Sequence, residues 1–317
     1  MSILYKLTHN GEKVQKALRD PFFGLKLILN QVAPLIRDDE TFLKWKYYLT
    51  FRRKLDLENP QTFNEKLQWL KLHDRKPEYT QMVDKAEAKK YVANIIGEEH
   101  IIPTLGVYDS FDEIDFDKLP NQFVMKCTHD SGGVVVCKDK NTLNIQAARK
   151  KIEYGLGKND YWAKREWPYK NVKPRIIIEQ YMEDSSIPYS EDLTDYKIYC
   201  CNGKPICIMS CTERSKKVKF HFFTPEWEFL RWDRTTQYEP KGFSKPRPKN
   251  LDEMLDMSAK LSRDIPEVRV DLYNVDGKIY FGELTFFSNS GFDTDLTTEA
   301  DKILGDSLSL PERLATN

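Results

Sequence analysis

VRVDLYNVDGKIYFGELTFFSNSG, residues 268–291, reads as two strands rich in β-branched and aromatic residues, joined at Asp276-Gly277. Asp-Gly between apolar runs signals a tight antiparallel hairpin, because both turn residues must accept a left-handed backbone. Asp271 and Glu283 sit in otherwise apolar sequence, five residues before and six after the turn pair, so the hairpin brings them near each other on one sheet. Two neighbouring carboxylates repel unless cations bridge them. Magnesium suits such a pair, since it takes one or two carboxylates together with phosphate oxygens. Arg269, two residues from Asp271, offers the alternative of ordinary ion pairing.

Outward from the hairpin, FVMKCTHDSGGVVV (123–136) reads as two strands around a turn containing Ser131, Gly132 and Gly133, with Lys126 on the first strand. Glycines allow close backbone approach, and N–H groups with an adjoining ammonium can cradle phosphate. A plain hairpin turn beside a solvent-facing lysine would produce the same sequence. RIIIEQYMED (175–184) is a buried strand ending in Glu179, Gln180, Tyr181 and Met182. Such a strand edge can pair with adenine through its backbone, or simply fill a core. DYKIYCCNGKPICIMSCT (195–212) is a second hairpin, turned at Asn202-Gly203.

The earlier part of the chain is helical. In NPQTFNEKLQWLKLHD, Thr62 and Glu65 form a capping box, followed by Phe63, Leu67 and Leu70 at helical spacing. In DKAEAKKYVANIIG, Asp84 and Glu87 repeat that signature, Ala88, Tyr91, Val92 and Ile95 line one face, and Gly97 ends the helix. Further helices are expected near 144–154 and 251–265. Pattern changes divide the chain into a helical region over 1–80, an α+β subdomain over 81–175 with the phosphate turn, and a second over 176–317 with the adenine strand and the carboxylate hairpin.

A chain of 317 residues supports two or three subdomains and a cleft between them. Lys plus Arg and Asp plus Glu number 49 each, so no global charge steers the protein toward nucleic acid. The six cysteines form no CxxC pair and lie in apolar, strand-like runs, which reads as buried thiols rather than disulfides or a zinc site. The opening residues show no signal-peptide pattern and no stretch reaches a membrane span, so a cytoplasmic protein is expected. The most apolar stretch, PFFGLKLILNQVAPLI (21–36), reads as a packing helix in preference to a membrane-surface helix.

With Lys85 upstream, these segments in this order resemble the ATP-grasp superfamily of carboxylate-amine ligases. DLENPQTFNEKLQWLKLHDR, VDKAEAKKYVANIIGEEHIIPTLGVY, FVMKCTHDSGG, IIIEQYM, DYKIYCCNGKP and RVDLYNVDGKIYFGELTF are similar to its TupA-like branch, associated with teichuronopeptide and capsular polysaccharide biosynthesis; the likeness runs from about Asp56 to Phe292. It implies an α+β, ATP-grasp fold, two α+β subdomains clasping ATP, with a helical N-terminal region. Lys85 and Lys126 would bind phosphates, His129, Ser131, Gly132 and Gly133 would belong to the phosphate loop, and Glu179, Gln180 and Tyr181 would meet adenine. Asp195 would bind ribose with Lys197 beside it. Asp271 and Glu283 would hold Mg2+, and Arg269 would face the transferred phosphoryl group. The superfamily often has Glu-x-Asn where this chain has Glu283-Leu284-Thr285, and Asn289 would be the substitute oxygen ligand. Lys89 stands where TupA-like sequences tend to show Arg.

The implied chemistry is ATP- and Mg2+-dependent amide formation through an acylphosphate, joining a small-molecule amine or amino acid to an anionic sugar carboxylate of a cell-surface polysaccharide precursor. The resemblance extends to peripheral contact with membrane-bound polysaccharide machinery at the inner face of the membrane. In the basic, aromatic segment 214–249, Lys217 or Lys219 could reach phosphate and Arg231 and Arg234 could greet the sugar, or the segment is a solvated basic face with core aromatics. Three rivals stand beside this reading, one of them a phosphotransferase of the same fold that stops after phosphoryl transfer. Asp115-Phe116-Asp117 and Asp293-Thr294-Asp295 are Asp-x-Asp triplets of the kind nucleotide-sugar glycosyltransferases use, and Thr285 leaves room for a non-catalytic binding module.

Overall fold

The computed structural model describes residues 11–130, 132–184, 193–212 and 218–312. Among the described residues six α-helices come first: α1 (Gly11–Arg19), α2 (Pro21–Val32), α3 (Asp39–Phe51), α4 (Phe63–His73), α5 (Glu78–Val83) and α6 (Glu87–Ile96). The Thr62/Glu65 capping box closes as the sequence predicts, with each side chain taking the other's backbone N–H at the start of α4. Asp84 accepts from the N–H groups of Ala86 and Glu87, and Gly97 ends α6 with φ of 102°.

Three strands follow, β1 (Thr104–Tyr108), β2 (Phe123–Cys127) and β3 (Val134–Cys137), then α7 (Ile145–Leu156), the single turn α8 (Tyr161–Lys164) and β4 (Ile176–Gln180). They build an antiparallel sheet ordered β1-β4-β2-β3, so β4 is interior to it. Here the structure corrects the division at 175/176: the strand of residues 176–180 belongs to the first sheet. The reason is pairing, because β4, buried along Ile176–Glu179, needs a ladder on both edges and finds β1 and β2 there.

The second sheet holds β5 (Asp195–Cys201), β6 (Lys204–Thr212), β7 (Lys219–Phe223), β8 (Phe229–Leu230), β9 (Glu267–Val275) and β10 (Lys278–Thr285), with α9 (Leu251–Leu261) before β9 and α10 (Thr298–Ser307) after β10. Its order is β10-β9-β5-β6-β7-β8. Both expected hairpins form, with φ of 50° and 78° at Asn202-Gly203 and 51° and 81° at Asp276-Gly277.

Two cores result. The larger joins the second sheet to the N-terminal helices through Phe63, Leu67, Tyr199, Leu272 and Phe286; the smaller sits under the first sheet, around Phe123, Met125, Ile152 and Ile178. The helical region therefore packs on the second sheet, and α6, at the head of the expected first subdomain, does so too. All six cysteines are free and buried. Among the described residues no helix is long and apolar enough to cross a membrane. Helix α2 packs only partly: Leu29 is buried, whereas Leu25 and Ile28 are 50% and 54% exposed.

Candidate active site

The two sheets face each other across a cavity of about 380 Å3, with Lys85, Lys126, Lys138, Lys197, Glu179, Asp195, Asp271 and Glu283 in its wall. The second sheet's contribution follows from register. Lys197 on β5 stands opposite Asp271 on β9, which stands opposite Glu283 on β10. Residues two apart on a strand share a face, so Asp195 and Tyr273 form the neighbouring row on one side, and Tyr199, Arg269 and Thr285 the row on the other. The turn pair at Asp276-Gly277 and a bulge between Phe281 and Glu283 set this alignment.

Asp271 is buried, and both of its oxygens meet cations. Arg269 reaches them at 2.6 and 2.7 Å, and Lys197 closes on one as well as on Asp195 at 2.6 Å. Burial pushes the Asp271 carboxyl up, but Arg269 and Lys197 outweigh it and hold the group below the usual carboxylate range. Arg269 thus takes the ion-pair role that the sequence offered as the alternative to a metal. Glu283 is different. Its side chain is 38% exposed, and its polar neighbours are distant: Thr285 at 3.4 Å, Arg269 and Lys85 each at 3.8 Å. It has coordination capacity to spare.

On the facing sheet, buried Glu179 takes Lys126 at 2.6 Å and Lys89 at 2.5 Å. Burial alone would raise its carboxyl, yet the two lysines keep it below its ordinary range. Gln180, Tyr181 and Met182 continue along the cavity wall, as do Ile102 and Val124. Lys85 closes the cleft, donating to the Asp130 carbonyl at 2.5 Å on the first sheet's side and approaching Glu283 on the second.

A second cavity of about 170 Å3 adjoins the first through Lys85 and Glu283 and is lined by His129, Asp160, Lys164, Glu166, Tyr169, Arg269, Thr285, Asn289 and Ser290. The backbone beneath it is unusual: Phe287, Asn289, Ser290 and Gly291 have φ of 57°, 47°, 59° and 59°. Buried groups hold that segment, with Lys71 donating to the Ser290 carbonyl at 2.6 Å, Gln68 to Gly291 at 2.5 Å, and Glu267 accepting the Phe287 N–H at 2.9 Å. Asn289 is brought to this cavity, its amide nitrogen donating to Asp293 at 2.5 Å.

Several expected site residues lie elsewhere. Gly133 is buried and its N–H donates to Asp130 at 3.0 Å, so the turn is tied to itself; Gly132 is exposed and lines neither cavity. His129 is buried, with Nε2 at 3.2 Å from the Lys158 carbonyl, and it borders the second cavity rather than the first. Ser131 and Lys217 lie outside the described residues. Lys219, exposed at the start of β7, lines neither cavity, because two strands separate β7 from β9. Arg231 donates to the carbonyls of Gln237, Glu239 and Pro240, and Arg234 to that of Leu296; both guanidinium groups fasten loops. Asp115 and Asp293 spend carboxylate oxygens on nearby backbone N–H groups, which explains both Asp-x-Asp triplets without a metal.

Sequence reasoning missed the Lys89 pairing and the wall formed by Asp160, Lys164, Glu166 and Tyr169. The signal for that wall was a dense run of charged and aromatic residues without strand or helix period over 158–174.

Among the described residues no three His, Cys, Asp or Glu side chains converge as a closed metal site. Two opposed carboxylates, one loosely held, with Asn289 one cavity away, fit a magnesium ion that shares its shell with phosphate and water.

Residues 65–309 match the profile of the TupA-like ATP-grasp family. No curated protein matches the chain in sequence. Similar solved structures include D-alanine–D-alanine ligase from Bacillus anthracis complexed with ATP, at 16% identity over 65% of this chain and 54% of that one, TM-score 0.37. The Helicobacter pylori enzyme of that name is 16% identical over 78% and 70%, TM-score 0.39. The ATP-grasp ligase PsnB complexed with a minimal precursor is 11% identical over 73% and 60%, TM-score 0.39. The chain thus spans little more than half the length of the first of these.

Proposed function

The chain belongs to the TupA-like ATP-grasp family, and on that premise we propose that it is an ATP-dependent carboxylate–amine ligase working on an anionic sugar of a cell-surface polysaccharide precursor. One observation carries the reading: Lys197, Asp271 and Glu283 stand in one row across three strands and share a cavity with Lys126, Lys85 and the Glu179–Met182 edge. That wall combines an apolar, strand-edged end for a purine with a cationic end for a polyphosphate.

In this reading Glu179, Gln180 and Tyr181 receive the base and Asp195 the ribose. Lys126 and Lys197 turn from their carboxylate partners to phosphate oxygens, and Lys85 joins them. Asp271 and Glu283 would hold Mg2+, with Asn289 the further oxygen donor. The ion, when bound, neutralises phosphate charge and polarises the transferred phosphorus. Arg269, fixed by Asp271 and by Thr285 at 3.1 Å, presents its guanidinium to the second cavity 3.8 Å from Glu283, which borders both cavities, and there a sugar carboxylate attacks the γ-phosphorus and ADP leaves. The acylphosphate so formed is captured by an amine, and no nucleophilic side chain is needed.

A peripheral position at a cytoplasmic membrane face belongs to the same proposal. Leu18, Leu25, Ile28 and Leu35 are 80%, 50%, 54% and 80% exposed on the N-terminal helices. Burial, and then Lys16 and Arg52, lower the proton affinity of Lys26 against the opposing pull of Asp20, so three cations and one carboxylate border this apolar face. That pairing suits an anionic bilayer.

Thermal unfolding tests the nucleotide assignment. Mg·ATP should raise Tm by mass action while a UDP-sugar with Mn2+ should not; the reverse pattern would point to a glycosyltransferase. Release of ADP against a panel of uronic acids and amines then reads the reaction, and a panel without turnover, given ATP binding, would favour a binding module. Sedimentation with anionic against neutral vesicles reads the membrane contact, which Leu25→Asp with Ile28→Asp should abolish; equal sedimentation of that variant would end it.

A further inference from the structure

Glu166 is an acid without a job in the site so far described. It is only 6% exposed and lines the second cavity, yet no described residue gives its carboxylate a hydrogen bond or an ion pair. A buried carboxylate that no donor hydrogen-bonds is costly, and such cost is retained where the group meets a ligand.

Its position is built, not incidental. The preceding Arg165 is wholly buried with φ of 57°, and donates to the carbonyls of Ala33, Ile36 and Trp162 at 2.9, 2.7 and 2.7 Å while pairing with Asp39 at 2.9 Å. Lys71 holds the Lys164 carbonyl at 2.8 Å. Glu166 then starts the turn Trp167–Tyr169, its own carbonyl accepting from the Tyr169 N–H at 3.2 Å. The loop is nailed down on both sides of Glu166, and the side chain is left facing the cavity. The field of Glu166 reaches Lys46, Lys71 and Lys164, but none of these ammonium groups bonds to it; they donate to the Ala163 carbonyl, to Gln68, Lys164 and Ser290, and to Asp160 respectively.

We propose that the second cavity is the amine subsite and that Glu166 receives the ammonium group of the acceptor and takes its proton. This rests on the ligase reading above. The space, about 170 Å3, accommodates a primary amine on a small head group. Its wall adds Asp160, Asn289 and the protonated phenol of Tyr169, whose proton affinity is raised by burial and then by Glu166 and Glu283. Glu166 accepts one proton from the ammonium, which frees the nitrogen lone pair. The C–N bond forms as the C–O bond to phosphate breaks, and the second N–H proton leaves with the phosphate.

The test separates the two half-reactions on the full chain. With Mg·ATP and a uronic-acid panel, hydroxylamine traps the acylphosphate as a hydroxamate, and being uncharged at neutral pH it needs no base. Glu166→Gln should keep hydroxamate formation within about threefold of wild type and lose roughly 100-fold in kcat/KM for an alkylamine acceptor such as methylamine, the scale of one general base. Raising pH should recover part of that loss, and Glu166→Asp should recover more. Equal losses in both half-reactions, or none in amide formation, would overturn the assignment. Should wild type form no hydroxamate with any acid, the ligase reading fails on its own. The subsite is then judged by calorimetric titration with methylammonium chloride: saturable binding that weakens at least tenfold in Glu166→Gln sustains it, and absent or unchanged binding overturns it.

Discussion

Lys126 and Glu179 are diagonal neighbours on adjacent strands, their charged atoms 2.6 Å apart, and Lys89 completes the trio from the other side of the carboxylate. Glu179 therefore keeps a counter-ion when Lys126 moves to a phosphate. Lys126→Ala should weaken ATP binding about 10- to 100-fold, the worth of one charge-assisted hydrogen bond, and adenosine binding less than twofold. Calorimetry on both ligands checks it, and equal losses would remove Lys126 from the phosphate end.

Asp271 and Glu283 would both hold the metal, but they differ in what they do for the fold. Asp271→Asn leaves Arg269 and Lys197 buried without their shared anion and should cost about 3–5 kcal/mol of stability. Glu283→Gln removes a loosely held carboxylate and should cost less than about 1 kcal/mol. Both should abolish Mg2+-dependent ATP turnover. Denaturant unfolding alongside ADP release separates the effects; a stable, active Glu283→Gln would displace the metal site from this hairpin.

Gly133 and Gly132 are adjacent in sequence and should respond oppositely to alanine. A Cβ at Gly133 would lie 2.6 Å from Cys127 Sγ and 3.1 Å from Asp130, whereas at Gly132 the nearest atom is Lys158 Nζ at 3.8 Å. Gly133→Ala should cost about 1–3 kcal/mol by overpacking, and Gly132→Ala should be close to neutral. Chemical denaturation of the two variants gives the answer directly.

Glu267 is buried under the strained 287–291 segment, and burial raises its carboxyl to about 7 against hydrogen bonds from Phe287 and Ser288 that oppose the rise. The folded state then binds a proton that the unfolded chain has already released. Stability from this group is full below the unfolded value near 4.5 and is lost as pH rises to about 7, by up to about 3 kcal/mol. Glu267→Gln should flatten that part of the stability–pH curve, read by urea midpoints from pH 4.5 to 8. A wild-type-minus-variant difference that fails to fall over this range would refute the burial argument.

Local signals carried far. The Thr62/Glu65 box, the two turn pairs with φ > 0 and the apolar run of β4 were legible because each depends on neighbours in sequence. The pairing of Asp271 with Glu283 was legible for the same reason, since a hairpin fixes its own register. Lys197 opposite Asp271 was not, because β5 reaches β9 only after some seventy intervening residues.

Sequence by itself determined the elements, the family likeness and the hairpin that aligns two carboxylates. Tertiary structure decided the rest. It placed β4 in the first sheet, where two neighbouring strands satisfy its backbone, and gave Asp271 the cations that make it a buried ion pair as well as a candidate ligand. It turned Arg231 and Arg234 to carbonyls that no spacing rule foretells. It also exposed Glu166 to a cavity whose walls come from four distant stretches of chain. Periodicity records what a residue owes to its own strand or helix, whereas a partner across the fold is chosen by burial and charge after the elements have packed.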